Sequence, residues 1–240
     1  MTAPLALVAA MHQELAAVLD LLPDERKTVV AGRELWCGHL HGHVVIGVLS
    51  RIGMVAAATT ATVLIEHFGV SEIVFTGVAG GLGPGVRVGD VVVADAFLQH
   101  DLDASPIFPR HEVPLYGRSR FATDAPLTQR LAQAACQALP GTTLHRGLIV
   151  SGDRFVSTTA EARALQAELP DALAVEMEGA AIAQVCHDYG VAYAAVRTIS
   201  DRADDAAHGD FTRFVETVAS PHSAAIVRAL LTLTSTTPAS

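Results

Sequence analysis

Charge is scarce in this chain. Of its 240 residues only 17% are Asp, Glu, Lys or Arg, and the basic ones are the minority, 16 against 25 acidic, for a formal charge of -9. A nucleic-acid backbone or an anionic membrane as principal partner calls for basic patches, so this balance argues against both. Long apolar runs are also missing. The most apolar stretches, 5–11, 44–49, 73–78 and 192–196, fall far short of the roughly 20 residues that cross a bilayer. No basic residue precedes the first of them, and His12, Gln13 and Glu14 follow it at once, unlike a signal peptide; a cytoplasmic protein is expected. The three cysteines, Cys37, Cys136 and Cys186, are odd in number and far apart, which suggests neither a disulfide framework nor a zinc knuckle. What the chain has in quantity is apolar surface. At 50% hydrophobic residues it is no disordered segment, and it is long enough to bury a large core.

Short apolar runs alternate with stretches of helical period, the pattern of an α/β fold. Strands are expected at 5–10, 33–37, 44–49, 72–76, 90–94, 147–150, 173–175 and 192–199. Helices are expected at 13–22, 55–68, 126–138, 159–167, 179–189 and 214–231. The segment 100–121, with Pro106, Pro109 and Pro114, reads as a long irregular loop of the functional or interface kind. No linker, repeat or low-complexity block divides the chain. One domain over 1–231 is expected, with 232–240 as a flexible tail.

The informative places are those where an apolar strand runs into charge or glycine. Glu14 follows the first strand, a glycine-rich turn from Gly77 to Gly85 follows the fourth, and Ser200 and Asp201 follow the last. In open α/β sheets ligands sit beyond the carboxyl ends of strands, so these termini are expected to meet at one crevice. Within the run 172–185, Glu176 and Glu178 share a face if the segment is extended, with Met177 opposite. They read either as an acidic start to the helix at Gly179 or as a clamp for ribose hydroxyls with Met177 on the sugar. Arg197, in an apolar strand, needs a partner, with Glu14 or Glu178 the candidates; the pair is either inert or holds a water or anion. Asp201 reads as a cap or turn residue or as a catalytic acid. The glycine turn is neither a GxxxxGK[ST] loop nor a well-formed GxGxxG. His39, His41 and His43 alternate but straddle a hairpin turn without Cys or acidic residues in register, so no metal is expected there.

Taken together, Met11-His-Gln-Glu14, Ser50-Arg-Ile-Gly53, Thr76-Gly-Val-Ala-Gly-Gly-Leu82, Val88-Gly-Asp-Val-Val92, Gly147-Leu-Ile-Val-Ser-Gly-Asp153, Val175-Glu-Met-Glu178 and Val196-Arg-Thr-Ile-Ser-Asp201 resemble the bacterial 5′-methylthioadenosine/S-adenosylhomocysteine nucleosidases of the purine nucleoside phosphorylase superfamily. The match is collinear over nearly the whole chain. It implies a single three-layer α/β/α domain around a twisted mixed sheet, usually a homodimer, that needs no cofactor and hydrolyses the N9–C1′ bond to release adenine. It assigns Asp201 as the general acid at adenine N7, Ser200 as the residue orienting it, Glu14 as the base for water and Arg197 as its helper. Glu178 would hold the ribose hydroxyls, Met177 would pack on the sugar and Glu176 would border the pocket. Phe155 and Val156 match the adenine segment and Phe211 a lid, while Met11, Ile52 and Val78 complete the substrate contacts. Two departures stand out: Val78 where many members have Ser, and Arg51 where Gly is common, which points either to solvent or to the 5′ group. The segment 103–115 matches a region that reaches a dimer partner's active site, with Ile107, Phe108 and Leu115 as an apolar wall for the 5′ substituent. Phosphorolysis is the rival reaction, but Phe75 and Val78 stand where phosphorylases carry Arg and Ser. A catalytically silent nucleoside-binding protein is the other alternative.

Overall fold

A computed structural model describes residues 3–203 and 211–234 of the chain. Its strands are β1 (Leu5–Ala9), β2 (Arg26–Val30), β3 (Arg33–Leu40), β4 (His43–Leu49), β5 (Glu72–Gly81), β6 (Val91–Gln99), β7 (Arg120–Ala122), β8 (Leu144–Ser151), β9 (Ala172–Glu176) and β10 (Ala192–Asp201). The helices are α1 (His12–Leu19), α2 (Met54–Phe68), α3 (Ala125–Ala138), α4 (Thr159–Glu168), α5 (Gly179–Tyr189), α6 (Phe211–Phe214) and α7 (Ser220–Thr234), with one wider turn of helix over Val215–Ala219 between the last two.

The strands form one mixed sheet in the order β10-β6-β8-β9-β5-β1-β4-β3-β2, with β7 added to β6. Helices cover both faces. One apolar layer joins α2 and α5 to the sheet through Ala57, Ala61, Leu64, Ile182, Ala183 and Phe75. The other joins α1, α3 and α7 through Val18, Leu127, Leu131, Ile226 and Leu230. Small residues on α2 and α5 let these helices lie close to the strands. The closest case is Gly179, where a Cβ would lie 2.1 Å from the Phe97 ring.

The sheet is more than an open layer. β5 and β10, at ten residues each, are the longest strands, and they pair in parallel from Glu72–Ala192 to Ala79–Ile199. Beyond that, Gly80 and Gly81 of β5 turn to pair with Val175 and Ala174 of β9. β5, β10, β6, β8 and β9 therefore close a ring. This corrects the expected glycine turn: Gly77 to Gly81 are strand, and their missing side chains let β9 and β10 approach. At Gly80 a Cβ would meet Ala203 at 2.9 Å, and at Gly81 it would meet Ile199 at 3.1 Å. The strand β2 was not expected; its mostly exposed Arg-Lys-Thr-Val-Val edge has no buried face to betray it. The expected hairpin of 33–37 and 44–49 is present and longer, as β3 and β4. Within the expected loop 100–121 only β7 and a bridge between Val113 and Arg118 are regular. α7 continues through Thr234, so 232–234 are helical, and 235–240 lie outside the described residues. Among the described residues no helix is long and apolar enough to cross a membrane.

Candidate active site

A pocket opens where β1, β5, β9 and β10 end. Its walls are Met11, Ile52, Val78, Ala79, Gly80, Phe155, Val156, Met177 and Glu178, with Glu176, Ser200 and Asp201 set into them. Carboxyl ends of strands far apart in sequence thus meet at one crevice, as expected for this class of sheet.

Glu14 lies on the first turn of α1, where Met11 caps the helix and donates its N–H to Glu14 Oε2 at 3.2 Å. The side chain is fully buried, and Oε1 makes no hydrogen bond. Burial pushes its carboxyl up from 4.5 to about 7, against the opposing pull of the Arg197 charge and the amides of Met11, Ala10 and Val78. A Cβ on Gly77 would stand 3.3 Å from both carboxyl oxygens, so the strand passes directly over this group. A buried acceptor left open beside a pocket is a place for a water.

The segment 176–178 is not extended, which corrects the sequence expectation. β9 ends at Glu176, because that carboxylate bends the chain back on itself. It accepts from the backbone N–H of Glu178 at 3.2 Å and from that of Gly179 at 2.9 and 3.0 Å. Ser151 Oγ donates to it as well, and in turn accepts from Ala180 N at 2.8 Å. The remaining partner is Arg197, whose Nη2 donates to Glu176 Oε2 at 2.9 Å. Glu176, not Glu14 or Glu178, is therefore the ion-pair partner of Arg197. The guanidinium also donates to the carbonyls of Phe75 and Val196, both at 3.1 Å, and lies over the Phe75 ring at 3.7 Å. With these bonds made, Glu176 has no oxygen to spare for a ligand, and Arg197 sits behind the pocket instead of in its wall. Both support the site, Glu176 from within the pocket wall and Arg197 from behind it.

Glu178 is the carboxylate that stays available. It precedes α5 as its N-cap, and Oε1 accepts from Gly53 N at 2.9 Å. Burial first, and the neighbouring Glu176 charge second, raise its carboxyl from 4.5 to about 8. Opposite it, Asp201 closes β10. Its Oδ1 accepts from Ala203 N at 2.7 Å and its Oδ2 from Ser200 Oγ at 2.7 Å. The turn reading of Asp201 is met by this geometry, and the same carboxyl lines the pocket.

Phe155 is half exposed on the wall and Val156 is packed in a small apolar cluster with Leu82, Val150 and Val175. Arg51 has a left-handed φ of 62° and donates to the carbonyl of Gly32, so it turns to the β2–β3 connection and not to the pocket. In the 103–115 segment Ile107 and Leu115 are 82% and 91% exposed, and neither lines this chain's own pocket. The side chain of Phe211 lies outside the described residues, as do Asp204 and Asp205. His39 turns to Asp24, with Nδ1 2.8 Å from Oδ2. Missed by sequence reasoning were Arg154 at the rim, paired with Glu161, and the contacts of Gly53 and Gly77 with the two buried glutamates. Only the glycines themselves signalled those close approaches.

A family profile described as Phosphorylase superfamily matches residues 4–232. A 5′-methylthioadenosine/S-adenosylhomocysteine nucleosidase from Geobacillus thermodenitrificans is 36% identical over 229 residues, 95% of this chain and 96% of its own. The chain belongs to this nucleosidase family of the phosphorylase superfamily. Among solved structures, the nucleosidase of the same name from Neisseria meningitidis, in complex with methylthio-immucillin-A, superposes with a TM-score of 0.90 at 34% identity, covering 95% of this chain and 98% of its own. The futalosine hydrolase of Helicobacter pylori superposes with a TM-score of 0.89 at 32% identity, covering 96% and 98%. The family's single mixed α/β domain is the one seen here.

Proposed function

We propose that this protein is an N-glycosyl hydrolase that cleaves 5′-methylthioadenosine and S-adenosylhomocysteine to adenine and the 5′-substituted ribose. The observation that carries the reading is a mostly apolar pocket lined by Glu178 and Asp201, with Glu14 buried beside its Met11 wall, on a nucleosidase-family fold. Asp201, oriented by Ser200, acts as general acid and gives a proton to adenine N7 as the C1′–N9 bond breaks and its electron pair passes to the base. Water at the open oxygen of Glu14 attacks C1′ and leaves its proton on that carboxylate. Glu178 holds the ribose hydroxyls, and the ionised Glu14 carboxylate on the water's side of the sugar stabilises its oxocarbenium-like transition state. Met177, Met11, Val78 and Ile52 enclose the nucleoside, and Phe155 stacks on the base beside Val156.

Phosphorolysis is disfavoured on electrostatic grounds. A phosphate needs convergent cations or amides, whereas Arg197 is bound to Glu176 and the wall cation Arg154 to Glu161. The test is adenine release from methylthioadenosine in phosphate-free buffer. Wild-type turnover is expected there, with Asp201→Asn abolishing it while the binding of adenosine analogues survives. Strict dependence on added phosphate overturns the reaction class. The likeness to a futalosine hydrolase makes aminodeoxyfutalosine a second substrate to include, beside 5′-deoxyadenosine, in a panel of kcat/KM values.

The protein acts in the cytoplasm as a homodimer in which the 103–115 segment of each protomer stands near the other's pocket. The support is that segment's exposed Ile107 and Leu115, two large apolar side chains with no cover in one chain.

A further inference from the structure

The first turn of α2 is held from outside the helix. Its N-cap is Gly53, which has no side chain to satisfy the free N–H groups of the turn. Two carboxylates from other connections take that role. Gly53 N donates to Glu178 Oε1 at 2.9 Å, and Met54 N donates to Asp153 Oδ1 at 2.7 Å. Asp153 comes from the β8–α4 connection and is itself fixed, because its backbone N–H donates to Asp101 Oδ2 at 2.8 Å. Gln99 Nε2 holds the other oxygen of Asp101 at 3.0 Å. The fit at Gly53 is close: φ is +98°, and a Cβ there would lie 2.9 Å from Asp153 Oδ1. Neither Asp153 nor Asp101 lines the pocket, but the residue next to the clasp, Ile52, does, as does Glu178.

We propose that Asp153 is a positioning residue for nucleoside recognition: by gripping Met54 it fixes the adjoining Gly53 N–H, and so holds the Glu178 carboxylate where it meets the ribose hydroxyls. The bond from Gly53 occupies one oxygen of Glu178 and leaves the other for the sugar. Without Asp153 the Gly53 amide is no longer fixed along the direction that orients Glu178, and the loss falls on ligands that have hydroxyls to offer. The role is geometric, since Met54 N needs an acceptor and not a charge. Asparagine therefore serves in its place, and alanine does not. Asp101 acts one step further back, through the backbone of Asp153.

The inference rests on Glu178 being the sugar-holding group, and its test is built on binding so that it stands apart from turnover. The probes are 5′-methylthio-9-deazaadenosine, whose carbon–carbon glycosidic bond cannot be hydrolysed, and its 2′,3′-dideoxy form. Dissociation constants are measured by calorimetry for wild type, Asp153→Ala, Asp153→Asn and Asp101→Ala. The hydroxylated probe is expected to bind Asp153→Ala about tenfold more weakly, the worth of one charge-assisted hydrogen bond, and the dideoxy probe less than about twofold. Asp153→Asn is expected to stay within about threefold of wild type for both. Asp101→Ala follows the alanine pattern at smaller size, and it carries the comparison should Asp153→Ala fail to fold. Equal weakening of both probes by Asp153→Ala, no weakening, or Asn as poor as Ala overturns the proposal. So does a wild type that binds both probes equally. A wild type that binds the hydroxylated probe but releases no adenine from methylthioadenosine defeats the hydrolase reading alone, and the probe comparison still decides the role of Asp153.

Discussion

Glu14 shows at the scale of one residue how the site is set against stability. Unfolded, its carboxyl ionises near 4.5; folded, near 7. Between those values the folded chain holds the extra proton, so this group's contribution to stability falls as pH rises through the window and the full penalty stands above pH 7. The upper size of that penalty is about 3 kcal/mol. Glu14→Gln keeps the acceptor for Met11 N and removes the charge. It is expected to raise the melting temperature at pH 8, to change it little at pH 4, and to reduce kcat at least about a hundredfold through loss of the base. In the wild type, kcat/KM should fall as pH drops below about 7, where Glu14 takes up its proton. Melting curves and pH–rate profiles of the pair check both sides. Glu14 and Asp201 were legible in the sequence because each ends an apolar run in a chain poor in charge. The partner of Arg197 was not, since Glu176, Glu178 and Glu14 all carry the same group and only the bend after β9 selects among them.

At the scale of elements, the sequence showed most of the strands and helices but misread what the glycines between them do. Gly77, Gly80 and Gly81 were expected to turn the chain; they extend β5 and clear space for Glu14, Asp201 and β9. Periodicity cannot separate those uses, because a residue without a side chain looks the same in a turn and in a crowded strand. Gly179 is the sharpest instance, with the Phe97 ring against its Cα and Glu176 against its N–H. Gly179→Ala is expected to destabilise the protein by about 1–3 kcal/mol through overpacking, read as a lower urea midpoint. Because that residue also anchors Glu176, a raised KM should accompany the loss. A variant of unchanged midpoint and KM would show that α5 shifts to accommodate the methyl group at no expense to the site.

For the molecule as a whole, the proposed dimer makes a plain prediction. The chain is 25.1 kDa, so light scattering should return about twice that mass, and Leu115→Asp should shift it toward the monomer while lowering activity. A wild type that stays monomeric at working concentration, yet fully active, removes the partner from the site. The resemblance singles out Ile107 and Leu115 in the 103–115 segment; their exposure in the single chain is what three dimensions add.

The closed ring of β5, β10, β6, β8 and β9 has a further consequence, in the order of events as the chain folds. Its last strand, β10, begins at Ala192 and carries Arg197, Ser200 and Asp201, while its partner β5 begins at Glu72. The ring therefore closes only by joining segments more than a hundred residues apart, a non-local pairing of the slow-forming kind. On the ribosome, β5 waits beside β1 with its other edge unpaired until nearly the whole chain has emerged. Asp201 and the support of Glu176 then arrive in the same step that seals that edge, so the pocket and the core are completed together.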